Sequence, residues 1–173
     1  MGGVWFTMKR KGQSRVKEGN VYAIPLPNGK YAFGRHMHRE SAAIAIYKHI
    51  GDTADNVPQK EEYQFIVGVY RDVLTNGEWP LIENRPFASE EEAEPPPTYI
   101  WDIGTGKYKQ YYKGEITPST KAACKGLESC AEWDANHIID RIMGDNKWQT
   151  ATIEWAYIQR YGQAAFDDFT KDS

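Results

Sequence analysis

The sequence predicts an α+β fold: a twisted, mainly antiparallel sheet or partly open barrel of five to seven strands, followed by two or three C-terminal helices. Three observations predict it. Up to about residue 113, apolar residues alternate or gather in short β-branched and aromatic runs. Asn28-Gly29 and Asn76-Gly77 punctuate those runs as tight turns. After Tyr112 the apolar period becomes helical, opening at Thr117-Pro118, a good N-cap followed by proline at the first helical position. At 173 residues the chain fits one domain with a substantial core. Residues 1–18 read as a flexible basic arm, 19–166 as the domain (strands within 19–113, helices within 117–166) and 167–173 as a polar tail.

Gly19–Arg35, GNVYAIPLPNGKYAFGR, is the first hairpin. A two-residue Asn28-Gly29 turn sets Leu26 opposite Tyr31, Ile24 opposite Phe33 and Tyr22 opposite Arg35. One face is then bulky, and the other, with Ala23, Pro25, Ala32 and Gly34, nearly bare. Pro25 and Pro27 cannot donate to a ladder, so the first strand is an edge or becomes one near the turn. Ala42–Ile50 reads as a third strand, with Ile44, Ile46 and Lys48 on one side and Ala45, Tyr47 and His49 on the other. Gln64–Tyr70 is nearly continuous and suits a strand buried on both faces, with Gly68 marking a bulge or a close backbone approach. Trp79–Glu83 is a short strand. Pro86–Pro97, with four glutamates and then three prolines, is a solvated linker or projecting loop.

Tyr99–Ile103 and Lys107–Tyr112 form a second hairpin around Gly104-Thr105-Gly106, dense in aromatics. Gly126 then breaks or kinks the first helix. Leu127, Ala131, Ile138 and Ile142 recur at helical spacing up to Gly144. Asn146 opens a last helix with Trp148, Ala151, Trp155 and Ile158 on one face and Gly162 near its end.

Charge is unevenly spread. Residues 1–60 hold ten Lys/Arg against four Asp/Glu, a net +6, and residues 61–173 hold eleven against twenty, a net −9. That asymmetry predicts a dipolar surface with an acidic face. The longest apolar run, Ala42–Tyr47, is too short to cross a bilayer, and no secretory signal pattern opens the chain. Two cysteines, Cys124 and Cys130, make neither a disulfide scaffold nor a zinc spacing, so they read as reduced, mostly buried thiols of a cytoplasmic protein.

The chemistry-bearing patterns are sparse. His36-x-His38 puts two imidazoles on one side of a strand, but Ala42 and Ala43 stand where a third ligand would follow, so no metal is expected. Gly104-x-Gly106 precedes a strand and makes a turn, not a phosphate cradle. No nucleophile motif accompanies either cysteine, and His137 with Asp134 and Asp140 reads as helix-surface hydrogen bonding. No cofactor or catalytic residue is expected. The tyrosine-rich hairpin offers an aromatic platform with Lys107, Lys109 and Lys113 beside it. With the basic arm, it fits a single-stranded nucleic-acid-binding module as an alternative to a protein-binding surface.

Four ordered segments carry a resemblance: GNVYAIPLPNGKYAFGR, FIVGVYRDVLTNGEWPLI, PPPTYIWDIGTGKYKQYYKGEITP and CKGLESCAEWDANHIIDRI. Over roughly residues 16–143 the chain resembles the immunity protein 26 family of bacterial polymorphic toxin systems. Matching positions include Gly19, Ala23, Ile24, Pro25, Leu26, Gly29, Phe33, Gly34 and Arg35. Gly68, Val69, Trp79, Pro80, Gly114, Glu115, Trp133, Asp134 and Ile138 match further on. The resemblance implies a cytoplasmic protein that binds and neutralises a cognate toxin domain, encoded by an adjacent gene, with no chemistry of its own. A toxin with a basic active site would favour an acidic face here. The candidate partner-binding residues are Glu90, Glu91, Glu92, Glu94, Trp101, Asp102, Tyr108, Tyr111, Glu132 and Asp134. The first hairpin is expected to serve as scaffold.

Overall fold

A computed structural model describes residues 15–150 and 152–173. Among the described residues nine strands and seven helices run in the order β1 (Asn20–Pro25), β2 (Tyr31–His36), β3 (Ala43–Tyr47), β4 (Tyr63–Val69), α1 (Asp72–Thr75), β5 (Leu81–Asn84), α2 (Glu90–Ala93), β6 (Thr98–Trp101), β7 (Tyr108–Tyr112), β8 (Glu115–Pro118), α3 (Lys121–Cys124), β9 (Glu132–Trp133), α4 (Ala135–Ile142), α5 (Lys147–Thr150), α6 (Ile153–Tyr161) and α7 (Gln163–Phe169). The class is α+β, as expected, but the strands divide into two sheets. The larger, open sheet has the order β5-β1-β2-β3-β4-β9, and the smaller has β6-β7-β8. Most of the basic arm lies outside the described residues. Its last part does not: Val16 is buried in the main core.

The first hairpin forms one residue out of the expected register. Tyr22 pairs with Gly34, Ala23 with Phe33 and Ile24 with Ala32. The Leu26 amide donates to the Lys30 carbonyl (2.9 Å) and the Gly29 amide to the Leu26 carbonyl (3.0 Å), so the loop is Pro27-Asn28-Gly29. Pro27 suits the first central position of a type I turn, and Gly29 takes the left-handed position at φ 80°. The proline's fixed φ therefore selects the three-residue loop over the two-residue one. A one-residue slip moves every β2 side chain to the other face relative to β1. Tyr22, Ile24 and Leu26 now lie over small Ala32 and Gly34, and Phe33 lies over Ala23. Neither face is bare, because each wide strand residue meets a narrow neighbour.

Both faces of this sheet are packed. One carries Tyr22, Ile24, Ile44, Ile46, Val67 and Val69, covered by Val73, Leu74, Trp79 and by Ile138 from α4. The alternation expected for β3 holds: Ile44 and Ile46 enter this cluster, and Tyr47 joins Val21, Ala23 and Phe33 on the opposite face. That second face is covered by the loop after β3, through Ala54 and Val57. Arg35 is buried there at 3% exposure. Its guanidinium donates to the carbonyls of Arg85 and Pro86, to Glu61 (3.1 Å) and to the Tyr63 hydroxyl (3.0 Å), and it stacks on Phe87. Five donors on one planar group tie three segments together. β1 pairs with β5 only from Asn20 to Tyr22, with one further bond from the Ala23 amide to Pro80. It becomes an edge at Pro25, where no amide is needed.

The region after Tyr112 departs furthest from expectation. Lys113 (φ 50°) and Gly114 (φ 79°) form a two-residue turn, and Glu115–Pro118 runs back as β8, so Thr117-Pro118 does not start a helix. Pro118 lies on the outer strand of that sheet, where a missing amide costs little. The helix opens at Thr120, whose hydroxyl accepts from the Ala123 amide, and Gly126 (φ 86°) lies just beyond its end. Leu127 and Ala131 are not helical. Residues 128–133 run extended and stitch the two sheets. The Tyr99 amide donates to the Glu128 carbonyl and the Cys130 amide to the Tyr99 carbonyl, and β9 then pairs parallel with β4. A Cβ on Gly68 would sit 2.6 Å from the Ala131 carbonyl oxygen, so glycine is what admits this strand. The expected last helix, from Asn146 to about Gly162, is divided into α5 and α6, and α7 follows Gly162. The Thr152 side chain caps α6. Trp155 points outward at 49% exposure, against its expected core face, and Ala151 lies outside the described residues. α7 crosses the boundary drawn at residue 166, and Phe166 and Thr170 are buried.

Candidate partner-binding surface

Eight of the ten candidate residues fall into three groups, and Glu90 and Glu91 stand apart. Trp101 and Tyr108 are core. They pack with Cys124 and Phe166 beneath α6 and α7, and the Trp101 ring meets Tyr157 edge-on at 5.4 Å between centroids. The Trp101 indole also donates to the Gly106 carbonyl. Burial raises the Tyr108 hydroxyl pKa to about 12, with the Glu154 charge adding to it. An open aromatic platform on this hairpin is thus corrected to half a platform: two of its rings are the small sheet's own core.

A second group shapes backbone. Asp102 accepts from the Gly104 amide (2.8 Å), which holds its carboxyl below the usual range, and lies 3.6 Å from Lys109. Glu92 accepts from the Ala88 amide while Ser89 accepts from the Glu92 amide, a reciprocal cap at the start of α2. Asp134 precedes α4 and sits 3.7 Å from His137. His137 stacks on Trp148 at 3.6 Å, and the Trp148 indole donates to Asp140. The His137, Asp134 and Asp140 group is therefore bound up in stacking and side-chain contacts on and beside α4. Glu90 and Glu91 stand exposed on α2, which Ala93 anchors by accepting from the His38 amide (2.8 Å).

The third group shares a site. Glu94, Tyr111 and Glu132 line one cleft between the two sheets, about 350 Å³ in volume. Ala43 and Gly68 form part of its floor and Pro95 and Pro96 one wall, with Cys130 and Ala131 opposite and Tyr112 and Lys113 at the lip. A second hollow of about 320 Å³ continues it past Ile66 and Thr98 toward Leu127. The wall is rigid because three successive prolines have fixed φ and no amide donors. The sequence predicts a solvated linker or projecting loop for that stretch, and Tyr112, Thr98 and Cys130 are not among the candidate partner-binding residues it yields. The proline triplet was the available signal, as a stiff extended rod and not a tether. Cys130 is exposed here and Cys124 is buried, both as free thiols.

His36 and His38 do not converge. His36 is buried, and burial lowers its pKa, while its Nε2 faces the Ser41 carbonyl at 3.2 Å. His38 accepts from the Glu40 amide at the surface. Among the described residues no group of three or more His, Cys, Asp or Glu is placed to hold a metal ion. No helix among them is long and apolar enough to cross a membrane.

The family model for immunity protein 26 matches residues 17–110. The chain belongs to the immunity protein 26 family. The match spans the five strands β1 to β5, the proline wall, β6 and part of β7, so the scaffold and one wall of the cleft are family features. β8, the stitching segment and the C-terminal helices lie beyond it. No curated protein and no solved structure matches this immunity protein.

Proposed function

We propose that this chain binds a cognate bacterial toxin domain and neutralises it in the cytoplasm of the producing cell, acting by occlusion and without chemistry of its own. Family membership carries this reading. The molecule offers what such a task needs: a sheet packed on both faces as a rigid support, and exposed acidic and aromatic groups on one side of it. The docking surface comprises Glu94, Tyr111 and Glu132 at the cleft, flanked by Glu90 and Glu91 on α2. Glu92 and Asp134 contribute charge at the periphery. Rigid support limits the ordering cost of association, so more of the contact energy appears as affinity.

The test is co-expression with the toxin domain encoded beside this chain. Cells making the toxin alone should stop growing, and cells making both should grow. Equal growth arrest in both cultures, or growth with the toxin alone, would overturn the proposal.

A further inference from the structure

We infer that the cleft between the two sheets takes an extended, cationic peptide segment, its basic side chains set against Glu94 and Glu132 and its apolar ones against the proline wall and Tyr111. The inference deepens the toxin-binding reading by naming the chemistry of the partner's segment.

Charge carries the argument. Three carboxylates line the cleft, those of Glu40, Glu94 and Glu132, against one cation, Lys113. That cation is engaged at the lip, 5.3 Å from the centroid of the Tyr112 ring. Among the described residues the ion partner of Glu40 is the exposed Arg39, at 3.7 Å. Among the described residues Glu94 and Glu132 form no ion pair, although elsewhere carboxylates are taken up: Glu61 by two arginines, Glu128 by Arg141. Like charges gathered around a low-dielectric floor reinforce each other's field, which favours a cation entering from solution.

Shape supplies the rest. Both walls, Pro95–Thr98 and Glu128–Glu132, are non-helical chain running past the cleft, so the space between them is a slot and not a bowl. An extended segment fills a slot along its length, whereas a helix of about 10 Å diameter would need a wider trough. The Thr98 hydroxyl is buried at the cleft without a hydrogen-bond partner, and an entering backbone can supply one. Tyr111, at 38% exposure, presents a ring on which a guanidinium group can stack.

The probe is a nine-residue peptide alternating arginine and leucine, compared with its glutamate–leucine counterpart. Each is titrated into the isotope-labelled full chain and followed by amide chemical shifts. The arginine peptide should perturb Ala43, Gly68, Thr98, Tyr111, Tyr112 and Cys130–Glu132, and the glutamate peptide should not. Binding by the Glu94→Gln/Glu132→Gln variant should be at least tenfold weaker, and wild-type binding should weaken steeply between 50 and about 300 mM salt. Both positions are at the surface, and an unchanged amide spectrum of the free variant certifies its fold. Perturbation centred on α2 instead, equal binding of both peptides, equal binding by the variant, or no binding would each overturn the inference. Because no toxin is used, these outcomes are independent of whether co-expression rescues growth.

Discussion

The two tight hairpins of this protein, β1–β2 and β7–β8, are built from similar residues and meet opposite fates. In the first, Asn20–Ile24 and Ala32–His36 are all buried, because loops and helices cover both faces. In the second, Tyr108 is buried under α6 and α7, while Tyr111, Tyr112 and all of β8 are exposed. Both have glycine in a left-handed turn, and the strands of each carry three Tyr or Phe rings. What separates them is cover. A strand face is core only where another element lies on it, and aromatic content does not say whether one does.

The sharpest way to test this contrast is one aromatic from each hairpin. Phe33→Ala, from a residue with no exposure, should cost about 3–5 kcal/mol, and Tyr112→Ala should change stability by less than about 0.5 kcal/mol. Urea unfolding reads both. Similar losses would mean that the second hairpin is as deeply supported as the first.

A smaller effect is expected at the stitch between the sheets. Gly68→Ala places a methyl against the Ala131 carbonyl and should cost about 1–3 kcal/mol. Amide exchange should show the loss concentrated at β9 and its β4 partners, with β1–β2 still protected. Uniform loss across both hairpins would show that the two regions do not open separately.

Through Arg35, the first hairpin is also tied to a pH signature at Glu61, just before β4. Burial alone would raise the Glu61 pKa, but hydrogen bonds from Tyr47, Tyr63 and Arg85 and the charge of Arg35 outweigh it, and the net value falls below the ordinary 4.5. A carboxyl with a depressed folded pKa binds its proton more tightly when unfolded. Its contribution is therefore present above pH 4.5 and is lost as pH falls through the lower folded value. Glu61→Gln should flatten that acid-side decline in a series of melting curves, and a variant with the full wild-type slope would contradict it.

The least disturbance is expected at the outer strand. Ile116→Lys, at a residue 59% exposed, should leave the melting temperature within about 2 °C, checked by calorimetry. A large loss would reveal cover over β8.

Short-range chemistry made much of the fold readable. The β3 alternation, the close approach at Gly68 and the proline-ended edge of β1 follow from side-chain period, missing Cβ and missing amide, all properties of a few adjacent residues. The errors came where two local signals competed. Pro27 displaced the Asn28-Gly29 turn by one residue, and Lys113-Gly114 made a third strand of a segment with good helix-start residues. Of the candidate surface, Glu94, Tyr111 and Glu132 were identifiable from charge and aromaticity. Their convergence was not, since they come from a loop, one sheet and the other.

The sequence by itself determined the class, the first hairpin's turn glycine and the family, because these depend on pattern and composition. Tertiary structure alone decided the register, the division into two sheets, and which aromatics and carboxylates face water. Those are matters of what lies across from each residue, and residues 128–133 and the three C-terminal helices supply that cover from far along the chain.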